Sequence, residues 1–180
     1  SFVIGSTLTV FCMAMIPICE SEQVPNLASG TGHEITVPLK KWIFRLPLSD
    51  YRSAPTLIKF TVNTLGARKI ALLHSTDASG MMGAKGIMEN VDKYGASIII
   101  TEAFDPKDTN MIPQLTKVKA ANPDAIILFT NAASASVVAK NYQQLGMETP
   151  VVACHAIPTP EFMKLAGKIA EGGRWVIFGV

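Results

Sequence analysis

The sequence predicts an α/β protein built on doubly wound parallel sheets, and three observations carry that expectation. Short, β-branched, almost wholly apolar runs recur at 2–4, 69–73, 97–101, 124–129, 150–153 and 174–178. Runs without polar alternation suit strands covered on both faces, as in a parallel sheet. Helical patterns lie between them and stop at Gly66, Gly95, Asn122-Pro123 or Gly146. Strand–helix alternation with such stops is the pattern of a doubly wound sheet.

Taken in order, Phe2, Val3 and Ile4 form a strand, and a helix follows that carries Cys12 and Cys19. Seven residues along a helix span about 10.5 Å, beyond the roughly 7 Å that a disulfide bridges, so these two thiols do not pair with each other. The first charged residue is Glu20, which raises the question of a membrane segment. The continuous apolar stretch is only 10–18, with Pro17 inside it. A span needs about 20 residues, and no basic leader precedes this one. It reads as a buried helix, with no membrane insertion and no signal peptide in the chain.

Residues 26–47 are rich in Gly, Pro and Thr and read mostly as loop. Ser49 and Asp50 signal the start of a helix that runs to Leu65 and stops at Gly66. Further helices are expected over 80–94, 110–121, 132–145 and 160–169, the last beginning after Thr159. The loop-rich stretch separates a partial α/β unit from a fuller one, which implies two lobes. Strands 2–4 and 174–178 are apolar and expected to be exposed in this span, inviting pairing with another chain.

Composition narrows the function. Of 180 residues, 48% are hydrophobic and 17% charged, which excludes disorder. The net charge of +2 is scattered, and aromatics make up 7%, so neither a nucleic-acid footprint nor a stacking platform for single strands is present. The three histidines lack metal-ligand spacing, and no structural metal or cofactor is expected. His74 and His155 follow strands, where ligands sit in open α/β sheets; the plainer reading of each is a loop histidine bonded to backbone. Cys154 has no marked base and reads as a small buried hydrophobe. No acid, base and nucleophile set emerges, so no catalytic residue is assigned and an enzyme is the weaker reading.

The glycines at 80 and 83, and at 30 and 32, resemble phosphate loops only loosely and match neither established nucleotide pattern. The segment Gly5-Ser6-Thr7-Leu8-Thr9 follows a strand and opens a helix. Its hydroxyls and free amides suit a carboxylate, although a plain Ser/Thr cap explains them too. Ser29-Gly30-Thr31 is a second such cluster.

These residues, with Val24-Pro25, the run from Trp42 to Asp50, Asn122-Pro123-Asp124 and the stretch 159–167, resemble type I periplasmic binding proteins. The likeness is to the branched-chain-amino-acid type, the extracellular ligand-binding receptors of ABC transporters. It implies a Venus-flytrap fold, present as a partial chain: a partial first lobe at 1–47, a second lobe at 48–171, and a strand returning toward the first lobe at 172–180. It implies a substrate-binding component of an ABC uptake system, periplasmic, with a small-molecule ligand and a permease as partners. A ligand-sensing domain of a regulator built on the same module is the alternative.

Family ligand contacts fall on Leu8 and Thr9 at the first helix start, and on Ser29, Gly30 and Thr31, which would grip a carboxylate. In the second lobe a capping aromatic falls on Ser79, a further contact on Asn131, and the acid that pairs with a ligand ammonium on His155. These last three depart from the amino-acid pattern. With no carboxylate for an ammonium, the preferred ligand is an aromatic or aliphatic acid without an amine, an amino-acid-like solute being the other carboxylate-bearing class. All these segments are expected on one cleft.

Overall fold

The computed structural model describes residues 1–167 and 175–177. Two sheets organise them, and every strand pairing is parallel. The first has the order β1 (Val3–Ile4), β2 (Asn26–Ala28), β3 (Ile43–Arg45). The second has the order β5-β4-β6-β7-β8, with β4 (Lys69–Ser75), β5 (Ser97–Phe104), β6 (Ala125–Phe129), β7 (Val151–Ala153) and β8 (Trp175–Ile177). Six α-helices are described: α1 (Thr9–Ser21), α2 (Asp50–Asn63), α3 (Ala78–Met88), α4 (Ile112–Ala121), α5 (Ala132–Gln144) and α6 (Pro160–Ala166). None of the described helices is long and apolar enough to cross a membrane.

The helix boundaries follow local chemistry. Ser49, Asp77, Asn131 and Thr159 each accept a backbone N–H with their side chains at the starts of α2, α3, α5 and α6. Left-handed residues lie after the helical turns, among them Gly66 at φ 71° and Asn122 at φ 49°. A non-glycine residue tolerates that region best when it is Asn, because its short side chain can bond locally.

Several expectations are corrected. Residues 26–47 are largely loop, as expected, but they also hold β2 and β3, two of the three strands of the first sheet. Each is only three residues long and contains a polar residue, so no apolar run marks it. The expected helix 80–94 breaks after Met88 and resumes as a 3-10 turn (Val91–Tyr94). The run at 97–101 is not covered on both faces; β5 is a sheet edge, and its residues alternate between exposed and half-buried. Trp175 is buried, not exposed, because it packs between Tyr142 (centroids 6.0 Å apart) and Phe162 (5.8 Å). Its strand, β8, pairs with β7 in the second sheet. The parts of the expected last helix at 168–169 and of the last strand at 174 and 178 lie outside the described residues.

The glycines of α3 are packing devices, not a phosphate loop. A Cβ on Gly80 would stand 2.2 Å from the carbonyl oxygen of Ser75, one on Gly83 2.3 Å from the Phe129 ring, and one on Gly86 2.7 Å from the Tyr51 carbonyl. Spacing of three puts them on one helical face, where they let α3 lie against β4, β6 and α2. Gly32 does the same for the first sheet: a Cβ there would meet Thr9 at 2.3 Å. The main core surrounds β4, β6 and β7, all of them lined by fully buried Ile, Leu and Val. A smaller one joins Cys12, Ile16, Cys19, Ala28, Ile35 and Ile43.

Candidate functional site

The segments that follow β1, β2, β6 and β7, with the starts of α1, α5 and α6, meet at one cleft of about 600 Å³. Thr7, Leu8 and Thr31 line it from the side of the first sheet; Asn131, Ala132, Ala133, His155, Ala156 and Thr159 line it from the second. Leu8, Asn131 and Thr159 are the N-cap residues of α1, α5 and α6. Three positive helix ends thus border one space, a field that favours an anion.

Of the positions singled out in the sequence, Leu8, Thr31, Asn131 and His155 line this cleft. Thr9 does not: it is buried, and its Oγ1 accepts the Gly32 amide at 3.0 Å, tying α1 to the following loop. Gly30 is a buried backing residue, with Cys12 and Ile35 crowding the place of a Cβ. Ser29 gives its amide to the Ser6 carbonyl at 3.2 Å and also stands behind the lining. Ser79 is not on the cleft wall; its side chain acts on Asp50, where it favours the ionised carboxylate.

Asp50 is the residue that sequence reasoning missed. It was legible only as an acid in the first turn of α2, a helix-start feature. The fold places it fully buried behind His155, whose Nε2 lies 3.6 Å from Asp50 Oδ1. Thr31 Oγ1 donates to Asp50 Oδ2 at 3.0 Å, and the Asp50 amide donates to the Thr31 carbonyl at 2.9 Å. The expectation that this site holds no carboxylate is therefore corrected: the acid comes from the start of α2, not from position 155. Burial pushes the Asp50 carboxyl up to about 6, with the Ser79 and Thr31 hydrogen bonds opposing and nearby Glu34 and Asp77 adding to the rise. Burial also lowers His155. Thr7 belongs to the segment expected on the cleft and lines it, whereas Thr159 was recognisable only as a hydroxyl at a helix start.

The remaining candidates do not join this site. His33 Nδ1 lies 3.2 Å from Ser49 Oγ, and its ring packs against Tyr51. His74 bonds the Ser75 carbonyl at 2.9 Å. Cys154 is fully buried, gives its thiol to the Thr130 carbonyl at 3.2 Å, and is pushed up to about 12 by burial. A thiol held protonated is a poor nucleophile. All three cysteines are free and buried, so a thiol reagent should label none in the native protein and all three in denaturant. Rapid native labelling of Cys154 would contradict its packing. Among the described residues, no group of His, Cys, Asp and Glu side chains could hold a metal ion.

The comparisons with known proteins agree with this architecture. The chain is 23% identical over 172 residues to a leucine-, isoleucine-, valine-, threonine- and alanine-binding protein of Pseudomonas aeruginosa, covering 95% of this chain and 46% of the relative. It is similar to a crystal structure of an extracellular ligand-binding receptor from Rhodopseudomonas palustris HaA2, with TM-score 0.87 and 25% identity over 93% of this chain and 47% of that one. A solute binding protein from R. palustris, solved in complex with 4-hydroxybenzoate, superposes with TM-score 0.83 at 18% identity, over 93% of this chain and 46% of that one. The chain spans about half the length of the curated relatives it matches. A family profile described as periplasmic binding protein matches residues 1–178. The chain belongs to the periplasmic binding protein family, with the type I fold of its branched-chain-amino-acid receptors.

Proposed function

We propose that this chain forms the ligand-gripping part of an extracytoplasmic solute receptor serving an ABC uptake transporter, and that it captures a small carboxylate-bearing solute. The observation that carries the reading is the convergence of the Leu8, Asn131 and Thr159 helix starts, with His155, on one cleft shared by both sheets. The carboxylate end would sit against these helix starts and the hydroxyls of Thr7 and Thr31. The rest of the solute would rest on Leu8, Ala132, Ala133 and Ala156. Closure of the two lobes around it would be a hinge motion at the crossover between β3 and α2. The permease partner and the extracytoplasmic location come with the family.

The relatives point to two ligand chemistries, amino acids for the P. aeruginosa protein and an aromatic acid for the R. palustris one. An acid without an amine is the preferred reading, because Asp50, which could pair with an ammonium, is covered by His155. Calorimetric titration with leucine, its amine-free analogue 4-methylpentanoate, benzoate and 4-hydroxybenzoate tests this. The three acids should bind, and leucine should bind at least about tenfold more weakly, since its ammonium would be desolvated with only the neutral His155 ring in reach and no exposed carboxylate to pair with. Saturable binding of leucine alone would reverse the ligand class, and no heat from any of the four would retire the cleft as a carboxylate site.

A further inference from the structure

Helix ends and hydroxyls leave one feature of the cleft unexplained. Asp50 Oδ1 and His155 Nε2 are both buried, both without a hydrogen-bond partner, and 3.6 Å apart. Buried polar atoms left in that state are costly unless a proton lies between them. The other carboxylate oxygen is held by Thr31, and the Asp50 backbone by the Thr31 carbonyl, so the acid has a fixed position. The ring of His155, by contrast, forms part of the cleft wall.

We propose that Asp50 and His155 act as one proton-holding pair, so that capture of a carboxylate takes up a proton from solvent, with Asp50 as the positioning residue that makes this selective for acids. The inference rests on the reading of the cleft as a carboxylate site. In the empty site, neutral His155 carries its proton on Nε2 and donates it to ionised Asp50, and the pair bears one negative charge. A carboxylate arriving at the ring then meets the lone pair of Nδ1. One proton taken from water onto Nδ1 turns the ring into an imidazolium, which donates from Nε2 to Asp50 and from Nδ1 to the ligand. The charge of pair plus ligand changes from minus two to minus one, balanced by the proton removed from solvent. An ammonium-bearing ligand would instead donate to the Nδ1 lone pair and need no proton.

The surroundings favour this outcome. The other charged or titratable groups facing Asp50 are Glu34, Asp77, Arg45 and Cys154. Two acids stand against one guanidinium, and the thiol stays protonated, so the wall has no surplus positive charge to meet a second carboxylate. Burial lowers His155 and so disfavours the imidazolium in the empty site.

Titration of 4-hydroxybenzoate and 4-methylpentanoate into the purified protein at pH 7, in buffers of different ionisation enthalpy, counts the protons. Between about one half and one proton should be taken up per bound acid, and affinity should rise roughly tenfold from pH 8 to pH 6. Asp50→Asn should bring the uptake below about 0.2 and flatten that profile, because the amide carries no charge to hold the imidazolium. His155→Gln, which alters only a side chain on the cleft wall, should do the same and guards against a folding defect in the first variant. Acids that bind the wild type without proton uptake, or uptake unchanged in both variants, would overturn the pairing and leave the carboxylate site standing. Failure of both acids to bind would overturn the site and the pairing together.

Discussion

Gly83→Val should destabilise the protein by about 3 kcal/mol, at the upper end of what overpacking a core costs. The Cβ alone would stand 2.3–2.4 Å from three atoms of the Phe129 ring, a distance that real contacts do not show. Phe129 cannot retreat, because it is fully buried at the end of β6 among the central strands of the second sheet. The alternative is for α3 to lift off the sheet. That would break the fit of Gly80 against Ser75 and of Gly86 against Tyr51, and would carry Ser79 away from Asp50. Relieving the ring with Phe129→Leu should recover part of the loss in the double variant, although Phe129→Leu alone is destabilising. Denaturant unfolding of the four proteins, at unchanged m-value, measures the coupling. Coupling energies within about 0.5 kcal/mol of zero would show that the two positions do not meet as described.

Asp50→Asn should stabilise the protein by roughly 2–3 kcal/mol at pH 7.5, and the gain should vanish near pH 4. Burial raises the folded carboxyl from 3.8 to about 6. The folded state therefore holds more protons than the unfolded state between those values, and stability falls as pH rises through that window. Above about 6 the whole cost of the buried charge is present; below about 4 both states are protonated and the cost is gone. A rise from 3.8 to about 6 corresponds to roughly 3 kcal/mol at 1.36 kcal/mol per pH unit. Asn pays no such cost at any pH, and it can still accept from Thr31 and donate toward His155. His155 works in the opposite direction. Its folded value is lowered, so its contribution is lost as pH falls below its ordinary 6.5. Because Asp50 faces His155, the Asn variant changes that contribution too, so the comparison at pH 7.5, above that range, carries the prediction. Thermal unfolding of the two proteins from pH 4 to pH 8 tests the sign: an Asn variant less stable at pH 7.5 would mean that the buried carboxylate is net favourable. The gain in stability should come with loss of proton-linked binding, the trade expected where a strained group serves function.

The α/β class, the parallel sheets and the positions of α2, α4 and α5 could be read locally, because apolar patterns and Gly or Asn stops mark them within a dozen or so residues. The likeness of the ordered series to periplasmic binding proteins was legible for the same reason, and the family profile spans it. Asn26–Ala28 and Ile43–Arg45 were not legible as strands from their composition. Three residues hold no period, and their extended form is supplied by neighbours in the sheet.

The same division runs through the site. Sequence alone determined which segments carry the hydroxyls, the helix starts and the histidine, since these are properties of short stretches and their backbone ends. Only the tertiary structure decided which of them share a cleft. Thr9, Ser29 and Gly30 lie in promising segments yet serve to join α1 to its loop, while Leu8 and Thr31 beside them reach the open space. Asp50 shows the reason most directly. In the chain it is an ordinary acid in the first turn of a helix; folding places Thr31, Ser79 and His155 around it, from 19, 29 and 105 positions away. Burial and charge coupling depend on distances in space, and the local sequence does not contain those distances.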